Sequence, residues 1–217
     1  MGKGQDTRER IMDIAQAAIL DKGFGATSID EIIAEAGITK SGFFYHFKDK
    51  NELARALLRR YTDESRGVLD EIFGRARELS EDPLQAFLIG LKLLAERLAD
   101  TQRRMPGCLI ASICYQERLF DRAVAALLGE FFDLWNYRFR AMLSEIADVH
   151  PLRADLDIDD LAEAMVCIVD GAIIMARIAN DPSRIERQVM TYRAFVRMAF
   201  AEPVAVARPR PKLSAAA

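Results

Sequence analysis

Apolar residues recur every three to four positions along almost the whole chain, and no alternating strand pattern runs for more than a few residues. The fold class this predicts is all-α. A first helix is expected over about 7–22, with Ile11, Ile14, Ala15, Ala18 and Ile19 on one face and Lys22-Gly23 as a cationic stop. Two short helices follow. Ser28 and Glu31 make a capping-box pattern, and Ile29, Ile32 and Ile33 keep helical spacing; Gly37 supplies a left-handed stop and Thr39 a second cap. Asp49 and Glu52 repeat the box and open a long helix to about residue 77 through Leu53, Leu57, Leu58 and Tyr61. Asp82 as cap and Pro83 at the first helical position start a fifth helix, which Met105-Pro106-Gly107 ends. Helices over about 108–117, 121–147, 159–179 and 183–201 bring the total to about nine. The last fifteen residues are Pro-rich and basic, and a disordered tail over 203–217 is expected.

The capped pair with its tight Ala36-Gly37-Ile38 turn has the form of a helix-turn-helix, whose second helix enters the DNA major groove. Charge qualifies this. The 217-residue chain carries a formal net charge of -3, so any DNA contact comes from a local patch. Between Thr39 and Arg60, Lys40, Lys48, Lys50, Arg55, Arg59 and Arg60 stand against Asp49 and Glu52, a local excess of +4. Phe43 and Phe47, four residues apart, are read as core holding the second short helix against the first long one.

The three cysteines, Cys108, Cys114 and Cys167, lack metal-binding spacing, and the two histidines, His46 and His150, form no helical Glu-x-x-His pair. No metal, cofactor or enzymatic activity is expected. Reduced thiols and a polar N-terminus fit the cytoplasm, and the most apolar stretch, 161–179, carries Glu163, Asp170 and Arg177, which argue against a membrane span. Cys108, near a helix start, is singled out as a possible sensor thiol, because helix N-termini lower thiol pKa values.

Through Thr27-Ser28-Ile29-Asp30-Glu31-Ile32-Ile33, Ala36-Gly37-Ile38-Thr39-Lys40 and Phe47-Lys48-Asp49-Lys50-Asn51-Glu52-Leu53, the chain resembles the TetR family of bacterial transcriptional repressors. The motifs span roughly residues 8–55; beyond them only the helix count and length agree. The resemblance implies a helix-turn-helix domain (1–52) and a helical effector-binding and dimerisation domain (53–202). It implies a homodimer on a palindromic operator in double-stranded DNA, released by a small-molecule effector of unknown identity. DNA contacts carry over to Thr27, Ser28, Lys40, Ser41, Gly42, Tyr45, His46 and Lys50. Helix-terminal hydroxyls and amides suit phosphate oxygens, and Lys40 is placed to reach a guanine edge. The chain departs from the family at Phe44, where many members have a Tyr that meets a phosphate; here Tyr45 follows it.

In the second half, Leu161, Met165, Ile168, Ala172 and Met175 form one apolar stripe, and Val189, Tyr192, Phe195, Val196 and Ala199 another. Periodicity fits a dimer interface and an internal core equally; the dimer assignment follows the resemblance. For an effector chamber formed by the fourth to eighth helices the apolar candidates are Phe87, Leu91, Leu94, Met105, Ile113, Phe131, Trp135, Phe139, Met142 and Met165, with Tyr115, Gln116, Asn136, Arg138 and Asp170 as the polar ones. Two other readings remain at this stage: a thiol-redox-sensing regulator, and a helical small-molecule-binding protein or enzyme without DNA function.

Overall fold

The computed structural model describes residues 3–105, 107–114, 116, 122–153 and 156–200. Among them are nine helices: α1 (Lys3–Lys22), α2 (Ile29–Ala36), α3 (Lys40–His46), α4 (Lys50–Leu79), α5 (Pro83–Arg104), α6 (Leu109–Cys114), α7 (Arg122–Ala147), α8 (Ile158–Ala179) and α9 (Ser183–Ala199). The sole extended pairing among the described residues is a single bridge between Leu152 and Phe200.

The caps act where the sequence places them. Side chains of Ser28, Thr39, Asp49 and Asp82 accept the amides of Glu31, Gly42, Glu52 and Gln85 at 3.2, 3.1, 2.7 and 2.8 Å. The Ser28 box closes only halfway, because the Glu31 carboxylate is bound to Lys22 across the α1–α2 turn. Gly37 ends α2 at φ 62, a conformation costly for a residue with a Cβ. Two ends differ from expectation. α1 begins earlier, at Lys3, and α6 starts only at Leu109, so that Cys108 precedes it. The expected ends at 117 and 201 and the tail over 203–217 lie outside the described residues.

α1 packs on α2 and on α4, and α2 on α3, and Ile11, Ala15, Ile19, Ile32, Phe43 and Phe47 join Leu53, Leu57 and Leu58 of α4 in the core. α4 then continues without a break into the second half. There it packs on α5 and α7, α5 lies along α9, and α8 packs against both α7 and α9. The centre is aromatic. Phe73 stacks on Phe87 at 5.7 Å, and Phe139 meets both edge-on at 5.7 and 5.9 Å. Gly90 makes this possible, since a Cβ there would stand 2.4 Å from the Phe73 ring. Gly90→Ala should therefore destabilise the fold by about 1–3 kcal/mol, despite the better helix propensity of Ala. Denaturant unfolding with an unchanged midpoint would show that Phe73 moves aside freely.

Candidate nucleic-acid interface and ligand cavity

Phe43 and Phe47 are fully buried, ring centroids 5.8 Å apart, and they fix which side of α3 faces out. That outer side presents Lys40, Ser41, Phe44 and Tyr45, with Lys48 just beyond the helix. Tyr45 is 83% exposed and His46 packs edge-on against it at 5.0 Å. Lys40 lies 3.6 Å from Asp30, an exposed pair that costs little to exchange for another anion. The Thr39 hydroxyl caps α3 and also touches Ser41 Oγ at 3.1 Å. A Cβ on Gly42 would press that hydroxyl at 3.3 Å, which gives the glycine a local reason.

Two residues assigned to DNA are turned inward. Thr27 is 1% exposed and its hydroxyl donates to Gly23 O at 3.0 Å, so its side chain braces the α1–α2 turn. The Lys50 ammonium donates to Phe24 O and sits 4.2 Å over the Phe24 ring, and burial pushes its pKa down. The Thr27 side chain is closed to a phosphate, and the half-buried Lys50 ammonium would have to leave Phe24 to meet one. The +4 patch also shrinks, because Arg60 reaches back to α1, bonding Asp13 at 2.7 Å, Gln16 at 2.9 Å and Glu9 at 3.2 Å.

Between α4, α5, α7 and α8 lies a cavity of about 540 Å³, within the size range of small-molecule sites. Tyr61, Val68, Leu94, Leu98, Phe131, Trp135, Val166, Val169 and Ile173 give it apolar walls, and Glu64, Glu71, Arg97 and Asp170 add charge. Tyr61, Cys108 and Asp170 stand together on its wall. Burial pushes the Cys108 thiol up to about 12, with the Asp170 charge adding to it. The α6 amides of Ile110 and Ala111 do pull the other way, as a helix start should, but burial wins. This thiol stays protonated.

Of the sequence candidates for this chamber, Leu94, Phe131, Trp135 and Asp170 line the cavity. Phe87, Leu91, Phe139 and Met165 are packed core, because they sit on helix faces that meet other helices. Asn136 falls on another side of α7, in a surface groove with Tyr137, Arg140 and Asp159. Met105 is exposed and its sulfur accepts from Gln16 at 3.4 Å, Gln116 lies over Gly25, and Tyr115 is outside the described residues. The expectation counted α4 among the chamber's helices but named no residue of the α4 wall. Its signal was Gly67 in the middle of a long helix, a residue costing about 1 kcal/mol against Ala, beside Glu64, Val68 and Glu71.

The cavity adjoins the joint between the two halves. Gly107, next to Cys108, exchanges both backbone groups with the Gln102 amide at 2.7 and 2.8 Å and packs against Leu20 at the end of α1. On α8, two turns beyond Asp170, Arg177 donates to the carbonyls of Leu20 and Asp21 at 2.6 and 3.0 Å. A cation on the last carbonyls of α1 satisfies groups with no helical partner and suits the helix dipole.

Residues 11–57 match the profile described as bacterial regulatory proteins, tetR family. Over 188 residues the chain is 36% identical to the HTH-type transcriptional regulator TtgR of Pseudomonas putida, covering 79% of this chain and 80% of that one. The chain belongs to the TetR family. It is a DNA-binding transcriptional regulator. The transcriptional regulator AcuR of Cereibacter sphaeroides is 29% identical over 180 residues, 82% of this chain and 80% of AcuR. In fold, a TetR-family regulator from Agrobacterium tumefaciens superposes with a TM-score of 0.76 at 19% identity over 92% of this chain and all of the other. No helix among the described residues is long and apolar enough to cross a membrane.

TetR-family regulators bind DNA and form dimers, and the described surface offers one apolar face suited to this. α8 exposes Gly171, Ile174, Met175 and Ile178, and α9 exposes Phe195 and Met198. The expected stripes point elsewhere. Met165, Ala172, Val189, Tyr192, Val196 and Ala199 are buried inside the subunit, and Tyr192 donates to Leu161 O at 2.7 Å; Leu161 and Ile168 are half-buried. Only Met175 and Phe195 of the expected set are open.

Proposed function

We propose that this TetR-family member is a repressor, held as a homodimer on a palindromic operator and released when a small molecule fills the cavity. The carrying observation is the position of that cavity: its wall includes Cys108, and the neighbouring Gly107 packs on the end of α1. An occupant that shifts α6 or α8 changes the contacts of Gly107 and Arg177 with the reader, and so the angle at which α3 is presented. Linkage requires that such an effector bind operator-bound and free protein with different affinities. The reading comprises a reader over 1–52, an effector and dimer body over 53–202, no enzymatic step, and action in the cytoplasm where the operator lies.

Selection of bound duplexes from a random pool should return a palindrome, and effector titration should lower operator affinity by a coupling of roughly 1–3 kcal/mol, the operator weakening effector binding by the same factor. Equal effector affinities with and without operator would exclude release by this route. Reader residues in the proposal are Ser28, Lys40, Ser41, Gly42, Tyr45 and His46. Because burial keeps the Cys108 thiol protonated, Cys108→Ser should leave release intact under reducing conditions. A response abolished in that variant would instead favour thiol sensing.

A further inference from the structure

Resting on the reading of the cavity as the effector site, we infer that its ligand is an organic cation: an aromatic or amphipathic ammonium whose charge is balanced by Asp170 and enclosed by Tyr61, Phe131 and Trp135.

The charge inventory of the cavity is one-sided. Glu64, Glu71 and Asp170 line it with Arg97 as the one base. Among the described residues Asp170 has no basic side chain within ion-pair distance, and its neighbour on the cavity wall is the Cys108 thiol. Burial pushes its pKa up, which marks a carboxylate held without the cation that would stabilise it. The neighbouring groups respond in the same sense. Tyr61 is pushed well above its ordinary value by burial and then by Cys108, Asp170 and Glu64. An anion placed here meets a half-buried carboxylate and a negative potential, whereas a cation relieves both.

The walls add a second, independent argument. Tyr61 and Phe131 lie 5.5 Å apart and tilted, and Phe131 and Trp135 6.2 Å apart, so three ring systems border one space. Aromatic faces beside a carboxylate attract an ammonium through their quadrupole, most strongly when water is excluded. The Trp135 indole nitrogen is buried with no hydrogen-bond partner among the described residues. Arg97 is exposed, on the opposite side of the charge balance, and marks where a polar tail or a second, anionic group of the ligand would point to solvent.

The test uses the full-length dimer and the only tryptophan of the chain, Trp135, as a fluorescence reporter. Three probes share a naphthylmethyl body and differ in the head: trimethylammonium, hydroxyl and carboxylate. The ammonium probe should bind at least about tenfold tighter than the other two, and Asp170→Asn should remove that preference, so that the ammonium and hydroxyl probes bind the variant with similar affinities. Affinity for the ammonium should also rise with pH as Asp170 loses its proton, with Glu64, Glu71, Tyr61, Cys108 and Arg97 the other groups facing the space. Glu71→Gln, at the exposed end, gives a smaller loss and guards against an Asp170 variant that fails to fold. Tighter binding of the carboxylate or hydroxyl probe, or no binding of any probe, overturns the inference. So does an ammonium preference that survives both variants. Binding of the cation without operator release leaves the ligand assignment standing and refutes the release reading.

Discussion

Ile178→Glu and Phe195→Glu are each expected to convert the protein to monomers and to lower operator affinity by about 100-fold or more, because a monomer engages one half-site without the effective concentration supplied by its twin. The two side chains are 75% and 51% exposed in the subunit, so neither variant opens the core. Helical content should persist. The force behind the dimer is apolar burial, about 1.5–3 kcal/mol for a side chain of this size fully covered. A carboxylate in the same place must be desolvated without a partner, which costs several kcal/mol. Sedimentation velocity with operator-binding anisotropy on the same samples checks both halves of the claim. If both variants remain dimeric, the subunits meet through another face.

How far the sequence could be read depended on what kind of physics each feature uses. Caps and turns are local, so Ser28, Gly37, Thr39, Asp49 and Asp82 announced their helices correctly from residue type and spacing alone. Period likewise marked Phe43 and Phe47 as core, while the outward Tyr45 came from the family resemblance. What period cannot give is the direction of a stripe on a helix with two apolar faces. On α8 and α9 it selected Met165, Val189 and Tyr192, which close on their own subunit, and passed over Ile174, Ile178 and Met198 one face away. The chamber was hard to read for a related reason: cavity walls are defined by what does not pack, and α4 contributes its polar, small residues to that wall. Thr27 and Lys50 show a third limit. A hydroxyl and an ammonium suit a phosphate, but each also suits a backbone carbonyl: the tight α1–α2 turn put Gly23 O within reach of Thr27, and long-range folding put Phe24 O within reach of Lys50.

That distinction yields the sharpest expectation for the reader. Tyr45→Ala should weaken operator binding by about 1–3 kcal/mol with little change in the unfolding midpoint, since the side chain stands largely in solvent and touches only the His46 ring edge-on. Lys40→Ala should alter base preference, or reduce the salt slope by about one contact if its ammonium meets a phosphate. Thr27→Ala and Lys50→Ala should behave in the opposite manner. Each removes a hydrogen bond to the α1–α2 turn, worth about 1 kcal/mol, so stability falls while the salt slope of binding by the folded protein stays at the parent value. Measuring melting curves and salt-dependent anisotropy on all four variants separates reading from bracing. Should Lys50→Ala flatten the salt slope while Tyr45→Ala binds like the parent, the outward face of α3 would not be the reading surface, and the ammonium of Lys50 would have to leave Phe24 on meeting DNA.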